Sequence, residues 1–366
     1  MLLTDGAHDW PIDLWRSHLE EARHAVGEWG YVIVLVRLDD LDPERWQHFM
    51  DLCTELALTP LVRLATTHMP GEGWSAPPVD QDGSYKSVAE DVTDLLSNLA
   101  WPPVTETGGN FVIVGNEPNR GDEWGGRPNP PQYARFLLDV ADALHKADPD
   151  LYILNAGFDL YAPHTGSLPL EAGYFMDAET FMDEMVAAYP DVFTHLDAWA
   201  SHSYPLGPFK AEPSYQVYQR DMVHDAENPA HLPPPEGLYN RGVNGYEWEL
   251  FKLATYGITD LPVIITETGW RHQESVWPNA ADALPDLPDT TTIAKYMKQS
   301  LGSQESIVLD ESVQSVTPWL LDDRVEGAIF FAFDGYPQYW GHTNWLILDD
   351  LGQVKGRYES LFQALR

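Results

Sequence analysis

The sequence predicts an α/β fold, a single (β/α)8 TIM barrel, and three observations carry that expectation. Short runs of β-branched and aromatic residues alternate with longer stretches of helical periodicity, the pattern of repeated βα units. The runs are nearly all apolar, as strands are when a helix-covered parallel sheet buries both their faces. Long proline-rich segments follow the C-terminal ends of strands, where a barrel carries the loops that form its site.

Taken in order, Met1-Leu2-Leu3-Thr4 is the place for a first strand, at or near the N-terminus, followed by a helix over 11–29. That strand looks clipped, which leaves open an extension of the natural polypeptide upstream. Strands are then expected over 31–38, 60–67, 111–115, 152–156, 198–202, 262–266 and 327–333, with helices over 42–58, 85–99, 131–147, 180–189 and 246–256. An open doubly wound sheet would be signalled by a glycine-rich turn after an early strand, and Arg37-Leu38-Asp39-Asp40 contains no glycine. The proline-rich stretches 69–78, 205–213 and 228–235 read as walls of a cleft rather than linkers. No second domain and no repeat beyond the βα unit is visible, so 1–366 reads as one catalytic barrel domain.

Composition narrows the function classes. With 44% apolar and 12% aromatic residues the chain has enough apolar surface to offset the entropy lost on folding, which excludes a disordered polymer. Its 57 acidic against 21 basic residues, a net charge of −36, repel phosphate backbones and anionic lipid. No nucleic-acid or membrane partner is therefore expected, and the ligand should be neutral or cationic. The lone Cys53 cannot form an intramolecular disulfide or a multi-cysteine zinc site, and its helical setting makes it a core residue. The histidines form no His-x-x-x-His pair, so neither a catalytic metal nor a cofactor is expected. The longest apolar runs fall well short of the roughly 18 residues that span a bilayer. The N-terminus has neither a basic segment nor an apolar stretch of signal-peptide length, which leaves extracellular and cytoplasmic locations both open, as composition leaves the oligomeric state.

Two strand ends each deliver a glutamate directly after a buried apolar run: 111–115 leads into Asn116-Glu117-Pro118, and 262–266 into Glu267-Thr268-Gly269-Trp270. In a parallel barrel all strand C-termini open on one face, so Glu117 and Glu267 should look into the same cavity. Two carboxyl groups facing one pocket are what glycosidic hydrolysis requires, one protonated to assist the leaving oxygen and one ionised on the other side of the sugar.

These two motifs resemble the signatures of the clan A glycoside hydrolases, retaining enzymes on a (β/α)8 barrel, at the ends of the fourth and seventh strands, and the likeness extends along the whole chain in strand order. The resemblance implies that Glu117 is the acid/base and Glu267 the nucleophile, with Asn116 binding the sugar 2-hydroxyl. His202-Ser203-Tyr204 is similar to the clan's His-x-Tyr element, whose tyrosine contacts the nucleophile while the histidine touches substrate or the acid. An arginine near the nucleophile is also implied, and Arg37 occupies a matching place while Arg63 on the next strand competes for it. The clan's strand-8 tryptophan has no counterpart in Phe330-Phe331-Ala332-Phe333, so Phe333, Trp340 or Trp345 is expected to form the sugar platform. Of the 14 tryptophans, Trp74, Trp124, Trp270, Trp340 and Trp345 fall in expected cleft loops, where indole faces stack on pyranose rings. Arg120-Gly121-Asp122-Glu123 reads as a solvated turn, with contact to a plus-side sugar as the alternative. The reading that follows is a retaining hydrolase of β-linked neutral oligo- or polysaccharide. A transglycosylase using the same residues and a non-catalytic carbohydrate-binding barrel are its alternatives.

Overall fold

A computed structural model of the chain describes residues 1–165, 173–219, 234–274, 286–302 and 316–366. Of the expected cleft walls, 228–233 lies outside the described residues.

Among the described residues, seven parallel strands form two sheets. The first orders β1 (Gly30–Arg37), β2 (Leu58–Ala65), β3 (Asn110–Val114) and β4 (Leu151–Asn155) side by side, in register from Gly30↔Leu58 to Arg37↔Ala65 across β1 and β2. The second contains β5 (Trp199–His202), β6 (Val263–Thr268) and β7 (Val325–Phe330). A parallel bridge, Leu154↔Ala198, links the two. Beside it the Asn155 side chain stands in for a ladder: its amide nitrogen donates to the Ala200 carbonyl at 3.1 Å and its oxygen accepts from the Ala200 N–H at 2.8 Å.

Alternation along these strands sorts side chains into two layers. Ile33, Leu61, Phe111, Ile113, Leu154, Ala198, Ala200 and Ile264 meet in one buried interior cluster drawn from β1 through β6 and the residue preceding β5, with Ile329 of β7 packed against it. The strands therefore curve around a common interior. The opposite faces pack on α1 (Ile12–Val26), α2 (Pro43–Leu56), α3 (Lys86–Leu96), α4 (Pro130–Ala147), α5 (Ala178–Ala188) and α6 (Gly245–Thr255). Local chemistry sets the helix ends. In α2 the Asp42 carboxylate accepts from Glu44 N–H at 2.9 Å, Pro43 occupies the first turn, and Ala57 stops the helix at φ 52°. Cys53 lies buried within that helix.

Met1–Thr4 was expected as a strand, but Thr4 forms an isolated antiparallel bridge with Asp9, and no ladder joins this segment to β1 or β7 among the described residues. It is held by side chains instead. The Leu2 N–H donates to Asp334 at 2.5 Å, and the Thr4 hydroxyl donates to the Leu35 carbonyl at 2.7 Å. Asp334, just past β7, also pairs with His18 of α1 at 2.9 Å, both side chains fully buried.

Two features lie beyond the sequence expectation. One is α7 (Thr290–Leu301), whose buried Ile293, Met297 and Leu301 recur every four residues behind an Asp289 cap that accepts from Thr292 N–H at 2.7 Å. The other is a C-terminal hairpin, β8 (Leu346–Leu348) with β9 (Val354–Arg357), followed by α8 (Glu359–Ala364). No helix of the described residues is long and apolar enough to cross a membrane.

Candidate active site

The site lies at the C-terminal ends of the strands. Beyond β3 the chain turns through Gly115 at φ 97°, and Glu117 itself sits at φ 34°, in the left-handed region that side chains seldom occupy. Its N–H donates to the Gly157 carbonyl at 3.0 Å, and its carbonyl accepts from Arg120 N–H at 2.9 Å, which hold that conformation. In β6, simple alternation from the interior Ile264 would send Glu267 to the helix side. Register shifts where His202 faces Glu267 and between Ile265 and Thr268 accompany its entry into the cavity, the re-aiming that bulges perform beside active sites.

One ligand atom each from Glu117, His202 and Glu267 lies within 4.8 Å of the other two. His202 Nδ1 is 2.8 Å from Glu117 Oε1 and 3.8 Å from Glu267 Oε2. Its imidazole packs against Gly157, where a Cβ would come within 2.1 Å of the ring, so only glycine fits there. Tyr204 donates its phenol proton to Glu267 Oε2 at 2.8 Å, and the buried Arg63 guanidinium hydrogen-bonds Oε1. Arg63 also donates to Asn116 Oδ1 at 3.0 Å, and the Asn116 amide donates to Glu123 at 3.2 Å.

The electrostatics separate these carboxyl groups. Burial opposes the charge on Glu267, but His202, Arg63 and the Tyr204 hydrogen bond outweigh it and hold the group down to about 2. Glu123 moves the other way, pushed up to about 8 by burial and then by the charge of Glu117. Asp159, beside Arg120, is raised to about 6 by the same two causes.

The cavity above these groups has a volume of about 340 Å³ and is walled by Trp74, Trp124, Phe209, Phe331 and Trp340. Glu117, Glu267, Asn116 and Tyr204 line it, and His202 reaches Glu117 from below. Four expected site residues lie elsewhere. Arg37 pairs with Asp9 at 2.6 Å and Asp39 at 3.2 Å and does not line the cavity; Arg63, on the adjacent strand, meets the Glu267 carboxylate instead. Trp270 is buried against Tyr296 and Phe330, its indole N–H on the Ala211 carbonyl at 2.8 Å. Phe333 and Trp345 pack on each other and on Phe362 of α8, because the chain turns away once β7 ends. Phe331, whose peptide bond to Ala332 is cis, and Trp340 face the cavity in their place. Arg120 and Glu123, expected in a solvated turn, also line it.

Glu117, His202 and Glu267 are also close enough to hold a metal ion, but the Arg63 guanidinium already supplies the positive charge at Glu267. Two expectations follow directly. Tyr204→Phe removes a hydrogen bond to a charged group, typically about 1.5–3 kcal/mol, so kcat/KM should fall about 10- to 100-fold, with the acid limb of its pH profile moving up as Glu267 becomes easier to protonate. Glu123→Gln should act on stability. Folded Glu123 keeps a proton that the unfolded chain releases near the ordinary carboxylate value, so its contribution is full below that value and lost as pH rises toward about 8. Thermal unfolding from about pH 5 to about pH 9 should show a shallower loss of Tm in Glu123→Gln than in the wild type.

No family model matches the sequence, and no curated protein does. Solved structures match its fold. A family 39 glycoside hydrolase from the gut symbiont Bacteroides cellulosilyticus WH2 aligns over 98% of this chain and 61% of its own, with a TM-score of 0.54 at 14% identity. A glucosidase from Croceicoccus marinus aligns over 98% and 64%, with a TM-score of 0.53 at 15% identity. A GH39 β-xylosidase from Caulobacter crescentus aligns over 96% and 66%, with a TM-score of 0.52 at 12% identity. The chain thus spans less than two thirds of each, and what it shares with these glycoside hydrolases is the fold.

Proposed function

We propose that residues 1–366 form a single (β/α)8 catalytic domain and that the protein is a retaining glycoside hydrolase of β-linked oligo- or polysaccharide. The observation that carries this reading is a carboxylate held ionised at about 2, Glu267, with a second carboxyl oxygen, on Glu117, inside the same 4.8 Å cluster. Retaining enzymes place their carboxyl groups about 5–5.5 Å apart, whereas inverting enzymes leave about 6.5–9.5 Å for a water.

In the first step a Glu267 oxygen bonds to the anomeric carbon as the glycosidic C–O bond breaks, and Glu117 gives its proton to the departing oxygen. In the second, Glu117, now a carboxylate, takes a proton from a water whose oxygen attacks the same carbon, and the bond to Glu267 breaks. Arg63 and Tyr204 keep Glu267 ionised and aimed, and Arg63 also orients the Asn116 amide toward a ring hydroxyl. Phe331, Trp340 and Trp74 offer aromatic faces for sugar stacking.

The test is to screen aryl β-glycosides and insoluble polysaccharides and follow the first-formed product anomer by NMR. Net retention is expected. Net inversion overturns the assigned roles, and glycan binding without turnover across the panel favours a binding module.

A further inference from the structure

In a chain with 57 acidic and 21 basic residues, an arginine without a carboxylate is unusual, and one lines the catalytic cavity. Arg63 and Arg120, which share that cavity, are both paired: Arg63 with Glu267, and Arg120 with Asp122 at 2.7 Å and Asp159 at 3.3 Å. Arg271 has no ion pair among the described residues. Its backbone N–H donates to the Phe209 carbonyl at 2.9 Å, and its guanidinium carbon stands 5.2 Å above the Phe209 ring. Its Nε is buried without a hydrogen-bond partner. The neighbouring titratable group, His342, is held down to about 3 by burial and then by the charges of Arg271 and His272, so it is neutral and offers Arg271 no negative charge.

Position ties this cation to catalysis. The Phe209 ring packs against Tyr204 at 4.3 Å between centroids, tilted by 38°, and the Tyr204 hydroxyl donates to Glu267. Arg271 is therefore one aromatic ring away from the residue that holds the nucleophile. A partly buried guanidinium with an unmet Nε–H is costly unless something satisfies it, and its planar fork matches an oxyanion in two parallel hydrogen bonds. Arg63 is already taken up by Glu267, so an added anion on the Phe209 side meets Arg271 first.

We propose that Arg271 is a specificity-determining residue that binds the carboxylate of a uronic acid, so that the glycan cleaved carries acidic sugars at the ring held beside Phe209. The assignment rests on the glycosidase reading above and narrows its substrate class. It departs locally from the neutral ligand that net charge suggests, because Arg271 places a cation with no ion pair among the described residues on this side of the cavity.

Matched pairs test it: methyl β-D-glucuronide against methyl β-D-glucoside, and methyl β-D-galacturonide against methyl β-D-galactoside, with the 6-sulfated glycosides as a third arm. Binding is read by calorimetry on the wild type, and kcat/KM on the corresponding aryl glycosides. A uronide should bind about tenfold or more tightly than its neutral partner, the advantage shrinking at high salt. Arg271→Gln should erase that ratio, and Arg271→Lys should restore part of it. Equal or tighter binding of the neutral partners overturns the proposal, as does a preference for sulfate esters over carboxylates or an unchanged ratio in Arg271→Gln. Retaining turnover without acidic preference leaves the glycosidase reading intact and removes this one. Acidic preference without any turnover does the reverse.

Discussion

Glu267→Ala should abolish hydrolysis of every substrate, by about 10⁵-fold or more in kcat, while the protein stays folded. The expectation follows from what Glu267 does in the proposed reaction: without it no covalent intermediate forms, and the remaining groups offer only binding and partial proton transfer. Alanine also leaves a space beside Arg63 and Tyr204 in which a small anion can stand. Added azide or formate should therefore restore part of the activity on activated aryl β-glycosides, and with azide the product should be the α-glycosyl azide, because the anion attacks from the side the carboxylate occupied. Far-UV circular dichroism checks the fold, since removing one partner of a buried pair leaves Arg63 uncompensated and is expected to cost about 3–5 kcal/mol. Full activity in Glu267→Ala would remove the nucleophile assignment.

Glu117→Ala should show a loss that depends on the leaving group. A general acid contributes roughly 10²–10⁴-fold where the departing oxygen needs a proton, and little where it leaves as a stabilised phenolate. Unactivated oligosaccharides should lose that full factor in kcat/KM. Dinitrophenyl β-glycosides should keep near-normal glycosylation and accumulate the covalent intermediate, seen as a burst followed by slow turnover. Azide should accelerate the second step and give the β-glycosyl azide. Opposite anomers from the two variants, in the same buffer, would separate the two roles in one experiment. An equal loss on all substrates would show that Glu117 does not act on the leaving group.

Much of the fold was legible because strand signals are local. Each expected core strand after Met1–Thr4 is present, with ends shifted by a few residues, since β-branched runs bounded by glycine, proline or acidic turns state their own limits. The site was legible where a residue's face follows from its strand. Asn116, Glu117, His202 and Tyr204 lie in a cluster with Glu267 at the strand ends. Arg37 was misplaced for a different reason: parity puts Leu35 and Arg37 on the interior side with Ile33, but Arg37 closes β1 and three acidic groups outside the cavity hold it. Parity likewise treats Ile329, Phe331 and Phe333 alike, yet β7 ends at Phe330 and the chain leaves the wall before Phe333. Arg271 carries no local signal, and Glu123 only that of an acidic turn just past Asn116-Glu117. Burial beside Glu117 and the bond to Asn116 mark Glu123, the lack of an ion pair among the described residues marks Arg271, and only three-dimensional placement reveals either.

The two carboxyl groups belong to different sheets, Glu117 to the one holding β3 and Glu267 to the one holding β6, and each is gripped by a side chain from the opposite half: His202 reaches across to Glu117 and Arg63 to Glu267. Among the described residues the backbone joins those halves at the Leu154–Ala198 bridge and at the Asp197 N–H to Ile153 carbonyl bond, with the Asn155 side-chain amide beside them. The paired groups thus act as rivets between the halves, and in the proposed reaction also as reagents. Any slippage of one half past the other lengthens both cross-links together, so Glu117 and Glu267 would lose their partners in concert.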